Sequence, residues 1–209
     1  LIGMDNPATA TMTTTSNVRD LCFRNPVDEY SEVASSLKDQ ADVFVLVIHG
    51  ADSPGSSELS DWVAEMLRSR KARLDAVIAG HTHMIQKSFV DGVPIIQSGA
   101  GGERFGRIDF VVDTQTRKIV SRGTQVVSGV ALLHESCDLP KASFCQKVES
   151  ELLYDSNLAK PLESATRLIE EARKEIEPLA ARKLFVAQAD LKRNRVSESP
   201  MSNLLTDAL

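Results

Sequence analysis

Val43-Phe44-Val45-Leu46-Val47-Ile48-His49-Gly50 and Leu74-Asp75-Ala76-Val77-Ile78-Ala79-Gly80-His81-Thr82-His83 decide the fold. Each is a short apolar run that ends on histidine. Six β-formers without a polar break predict a strand buried on both faces, the habit of a parallel sheet. Between the two runs, Leu59, Trp62, Val63, Met66 and Leu67 recur at helical spacing from about Glu58 to Arg70. Strand, helix and strand in that order form a βαβ unit. Upstream, Asn25-Pro26 opens another helix. Asn serves as cap, Pro takes the first helical position, and Asp28 and Glu29 occupy the first turn. Val27, Tyr30, Val33, Ala34 and Leu37 share its apolar face, to about Asp39. Residues 5–19, rich in Asn, Thr, Ser and Ala, read as loop.

Downstream the pattern changes. Ile85 to Val90 and Val93 to Gln97 flank Asp91-Gly92, the signature of a tight hairpin. A glycine-rich loop, Gly99 to Gly106, follows a hairpin strand and lacks the Lys-Ser/Thr of a P-loop, so it reads as a rim loop. Arg107 to Asp113 and Lys118 to Val127 read as further antiparallel strands. Residues 143–155 and about 159–182 are charged and helical, with Ile169, Ala172, Arg173 and Ile176 on one stripe. Leu184 to Ala189 reads as a fresh strand, and Ser199-Pro200 opens a last helix. The expected organisation is 1–135, 136–183 as a helical connector, and 184–209 as the start of another domain.

The 209 residues carry 42% hydrophobic and 25% charged side chains and a net charge of -5. That composition excludes a disordered, collagen-like or disulfide-dense chain, and its length allows a sizeable core. The 24 Lys and Arg are dispersed among 29 Asp and Glu, which argues against a nucleic-acid polymer as partner. No run approaches the ~20 apolar residues of a membrane span. The opening Leu1-Ile2-Gly3 reads like protein interior, so a longer protein is expected, with the N-terminal half of the same domain missing. Cys137 and Cys145 lie close enough for a small disulfide loop; three unbridged thiols remain the equal alternative.

Three of the four histidines sit at strand ends. The C-terminal edge of an α/β sheet is where sites are built, and neutral imidazole is the commonest metal ligand. One strand-end histidine is usually a hydrogen-bonded structural residue. His49, His81 and His83 together point to a metal centre.

Val43–Gly50 and Leu74–His83 resemble the last two motifs of the calcineurin-like metallophosphoesterases. Val93–Gly99 and Arg104–Asp109 resemble more narrowly the 5′-nucleotidase branch, which includes UDP-sugar hydrolases and cyclic-nucleotide phosphodiesterases. Glu198 to Ala208 is similar to the opening of that family's C-terminal substrate domain. The resemblance implies an α+β (α/β) fold, part of a four-layer αββα metallophosphoesterase sandwich, followed by a helical connector. It implies two divalent metal ions, Zn, Mn or similar. His49 and His81 would bind one ion and His83 the other, and Asn203 matches a position that can contact a nucleoside. It also implies a nucleotide substrate and an extracellular, periplasmic or cell-surface location.

The family's Asp-x-His, Gly-Asp and Gly-Asn-His motifs do not occur here, so no catalytic residue is assigned and the chain alone is expected to be inactive. Asp52, three residues after His49, is a poor substitute for the missing carboxylates. Two other readings stay open: a thiosulfohydrolase-like relative, and a non-catalytic binding module.

Overall fold

The two histidine-terminated runs become neighbouring parallel strands. A computed structural model describes residues 1–131, 153–154, 157–158, 160–194 and 197–208. The chain opens with β1 (Ile2–Met4) and two single-turn helices, α1 (Thr9–Met12) and α2 (Thr15–Val18). Helix α3 (Pro26–Ser36) leads into β2 (Val45–Ile48), and α4 (Glu58–Ser69) into β3 (Ala76–Ala79). The hairpin of β4 (Ile85–Val90) and β5 (Val93–Ser98) completes a five-stranded sheet ordered β1-β2-β3-β5-β4. Its pairs are parallel from β1 through β5, and β4 is antiparallel. Strand β6 (Arg104–Asp109) precedes the small hairpin of β7 (Val112–Asp113) and β8 (Lys118–Ile119), and a 3-10 turn at Ser121–Gly123 follows. Strand β9 (Gln125–Ala131) then pairs antiparallel with β6.

Local chemistry accounts for the elements. Asn25 Oδ1 accepts the amides of Val27 at 2.8 Å and Asp28 at 3.3 Å, which caps α3. Helix α4 ends on Arg70 in the left-handed region, φ 51. Asp91 and Gly92 take φ 48 and 84, the two positive values a two-residue hairpin turn with the strands' own twist needs. At the start of the parallel strands, Phe44 N donates to Asp75 Oδ2 and Asp75 N donates to Phe44 O, both at 2.8 Å.

Side-chain period then decides what the sheet buries. Ile2, Leu46, Val77 and Ile95 lie on one face by register. That face packs with Val27, Tyr30 and Ala34 of α3 and Leu59, Val63 and Met66 of α4 into a single buried cluster. The opposite face holds Val47, Ile78 and Ile96 in one row. Among the described residues, β6 and β9 cover its β5 side, where Ser128 Oγ donates to Gln97 O at 2.9 Å. Val47 and Ile78 are 38% and 42% exposed. The expectation that both runs are buried on both faces is therefore corrected: one face is.

Other expectations are corrected as well. Residues 5–19 contain the two short helices. Lys118 to Val127 is not one strand, because the Ser121–Gly123 turn divides it. The helix expected over 143–155 falls mostly outside the described residues. At its far end, β10 (Leu153–Tyr154) pairs with β11 (Asn157–Leu158) as an antiparallel hairpin. Helix α5 (Glu163–Ala180) and helix α6 (Pro200–Asp207) form where the periodicity and the Ser199-Pro200 start predict them. Leu184 to Ala189 is not a strand: no edge among the described residues pairs with it, and it is exposed. The chain divides into two units, Leu1–Glu149 and Ser150–Leu209. The expected boundary at 135 and the Cys137 and Cys145 pair lie outside the described residues.

Candidate metal centre

The parallel register sets Ile48 level with Ala79, so the two strands end side by side. The ladders run one step further: His49 N donates to Met4 O at 3.1 Å, and Gly80 N donates to Gly50 O at 3.3 Å. These bonds deliver His49 and His81 to the same point at the C-terminal edge of the sheet. His81 Nδ1 faces His49 Nε2 at 3.0 Å, with ring centroids 4.9 Å apart and an interplanar angle of 71°. The geometry allows one hydrogen between the facing nitrogens. One imidazole donates and the other accepts, so the two rings have complementary tautomers.

The pair fits one divalent cation. Two nitrogens on a tetrahedral zinc, each at about 2.0–2.1 Å, stand roughly 3.3 Å apart, close to the observed separation. Binding both lone pairs requires the hydrogens on the outer nitrogens, so a cation competes with the shared proton. The fit extends to two ligands. Among the described residues, no group of three or more His, Cys, Asp or Glu is arranged to hold a metal ion. His83 is exposed and stands outside the facing pair.

Backbone strain marks the loop after β3. His81 takes φ 91 and His83 φ 59, values that L-residues rarely adopt. Thr82 lies between them. Its Oγ1 accepts from Gln97 Nε2 at 2.7 Å and donates to Asp52 O at 3.3 Å. Asp52 is structural. Its carboxylate accepts from Ser60 N at 3.0 Å, from the Ser60 hydroxyl and from Gln86 Nε2 at 2.9 Å, which secures the first turn of α4. It has no oxygen turned to the histidines in these bonds, in keeping with its poor standing as a substitute ligand.

Asn203 lies on α6 of the second unit. Its side-chain amide donates to Glu198 Oε1 at 2.9 Å and its main-chain amide donates to Ser199 O at 3.0 Å. Both bonds are local, those of a residue completing its own helix start.

Sequence reasoning missed two neighbours of the pair. Asn6, read as loop, is buried just past β1 and lines a cavity of about 220 Å³ with His81, Trp62 and Glu58. In sequence Gln97 is a strand end. The available signal was a single polar side chain closing the apolar run Val93 to Ile96. No helix among the described residues is long and apolar enough to cross a membrane.

The chain matches no protein-family model. It is similar to Endonuclease YhcR of Bacillus subtilis, 21% identical over 127 residues, which are 60% of this chain and 10% of the endonuclease. In fold it is similar to the crystal structure of a Staphylococcus aureus protein assigned to the 5′-nucleotidases, in complex with α-ketoglutarate. The TM-score is 0.59 at 16% identity, over 98% of this chain and 37% of that one. The chain thus spans well under half the length of either. The likeness supports the expected α+β architecture with its mixed sheet.

Proposed function

We propose that the chain is part of a metal-dependent hydrolase of nucleotide phosphoesters, similar to the 5′-nucleotidases. The observation that carries this reading is the facing pair, His49 Nε2 and His81 Nδ1, at the C-terminal edge of adjacent parallel strands. A divalent cation there supplies Lewis-acid stabilisation of charge on a phosphoryl oxygen. His49 and His81 would hold that ion as neutral imidazoles, and His83 would serve a second ion. Imidazoles neutralise no charge, so the carboxylates that complete such a centre come from outside the described residues. For that reason no catalytic residue is assigned to this chain, and the 209 residues alone are expected to turn over no substrate. Asn203 is the proposed nucleoside contact, and the protein is proposed to act outside the cytoplasm.

The test is hydrolysis of a 5′-mononucleotide by the natural protein that carries this chain, in Mn²⁺ or Zn²⁺. Activity should disappear with EDTA and in His81→Ala. Hydrolysis that survives both removes the metal assignment. The name of the Bacillus subtilis relative favours a second reading, in which the phosphoester lies within a nucleic acid. A DNA or RNA substrate in the same assay decides between them: cleavage of the polymer with the mononucleotide untouched selects the second.

A further inference from the structure

We infer that Gln97 is a positioning residue for the His49–His81 pair, acting through the hydroxyl of Thr82. Gln97 is 2% exposed at the end of β5, after four buried residues. A buried amide is expensive unless bonded, and one left half-bonded keeps part of that cost. Gln97 Nε2 donates to Thr82 Oγ1 at 2.7 Å, while its Oε1 is buried with no partner. A side chain kept only for packing would be apolar here. The bond to Thr82 is what the amide gains.

Thr82 stands between the two strained histidines. Each left-handed backbone is strained and persists only where its surroundings over-determine it. Thr82 also donates to the carbonyl of Asp52. That carbonyl belongs to the loop after β2, three residues beyond His49. Its own residue is tied to α4 through Ser60 and to β4 through Gln86. The series Gln97, Thr82, Asp52 therefore fastens the His81 loop to the His49 loop, with β5 at one end and α4 at the other. Without the Thr82 hydroxyl, the loop loses the bonds on both sides of its strained turn, and Nδ1 of His81 loses its fixed aim at Nε2 of His49.

The role toward a metal rests on the hydrolase reading; the aim of the rings does not. Both are measured on the full 209-residue chain. Gln97→Leu removes the donor but risks the fold, so Thr82→Val and Thr82→Ser form the deciding pair, with thermal melts alongside. The readout is the imidazole ¹⁵N spectrum of His49 and His81 without metal. Thr82→Val should move both rings toward the averaged tautomer signals of free imidazole, and Thr82→Ser should restore the parent pattern. Val and Ser variants with the same ring signals would overturn the inference. In a Zn²⁺ titration, Thr82→Val should bind about 10-fold more weakly than the parent chain, the usual scale for a lost second-layer contact. A parent chain that takes up no Zn²⁺ at millimolar concentration, with the ring signals behaving as stated, would count against the hydrolase reading and leave the positioning role standing.

Discussion

Single residues show two kinds of constraint, at opposite ends of the same strands. Below the sheet, Tyr30 is 1% exposed and its hydroxyl donates to Arg73 O at 2.6 Å. Burial pushes this hydroxyl's pKa well above its ordinary value, and the nearby Asp75 carboxylate adds to the rise. The folded-state value thus lies above the unfolded one, about 10. The stabilisation is complete below that pH and is lost as pH rises through the folded value. Tyr30→Phe should cost about 1–2 kcal/mol at neutral pH, since the Arg73 carbonyl loses its partner. It should also flatten the fall in stability above pH ~10. Urea midpoints at neutral pH and in the alkaline range measure both effects; an undiminished alkaline fall in the variant would assign it to other groups. Above the sheet, His49 and His81 were legible in the sequence because rigid strands of equal length end on them. Gln97 was not, since one polar residue closing an apolar run looks like any strand end. Its meaning depends on Thr82, which is distant in sequence and adjacent only after the hairpin folds back.

Elements specified by local pattern are legible in the sequence, and those that depend on a partner are not. Helices α3 and α4, the Asp91-Gly92 hairpin and the start of α6 carry caps, turn residues and apolar periods within their own few residues. Leu184 to Ala189 has strand-forming residues but no partner among the described residues, and β-propensity without a cross-strand neighbour specifies little. The docking of β6 and β9 onto β5 was equally hidden, because it turns on one missing side chain. A Cβ at Gly106 would lie 2.6 Å from Ser98 Oγ, 3.0 Å from Ile96 Cδ1 and 3.1 Å from Val127 O. The serine can rotate away, but the carbonyl belongs to the β9 backbone and cannot. Gly106→Ala should therefore destabilise the protein by about 1–3 kcal/mol, the usual cost of overpacking. Gly3→Ala is the control, because a Cβ there meets nothing within 4 Å, and it should stay within about 0.5 kcal/mol of the parent. Equal denaturation midpoints for the two variants would mean that β6 can lift from β5 at no cost.

At the scale of the molecule, composition says how much apolar surface the chain has but not where it is spent. Among the described residues, the buried hydrophobic side chains fall between Ile2 and Ile96, in the first unit. Helix α5 has none, and Ile169 and Ile176 of its apolar stripe are 55% and 57% exposed. The charged stripe pattern foretold that helix and its partial solvation, but not how far the stripe is exposed, because a period records which residues share a face and not what meets it. None of the 18 residues of α5 is buried, and a helix in a protein draws most of its stability from packing of its apolar face. Leu46 of β2 and Val77 of β3 are fully buried in the first unit's cluster. The two regions should therefore exchange hydrogen by different routes. Amides at Leu46 and Val77 should exchange at the rate set by global unfolding and slow further under stabilising conditions. Those from Arg167 to Glu177 should exchange orders of magnitude faster, through local opening that ignores the stability of the first unit. Residue-resolved exchange on the parent chain and on Tyr30→Phe separates the routes: the substitution should speed Leu46 and Val77 and leave α5 unchanged. Slow exchange in α5 matching that of β2 would show that Ile169 and Ile176 are covered in solution.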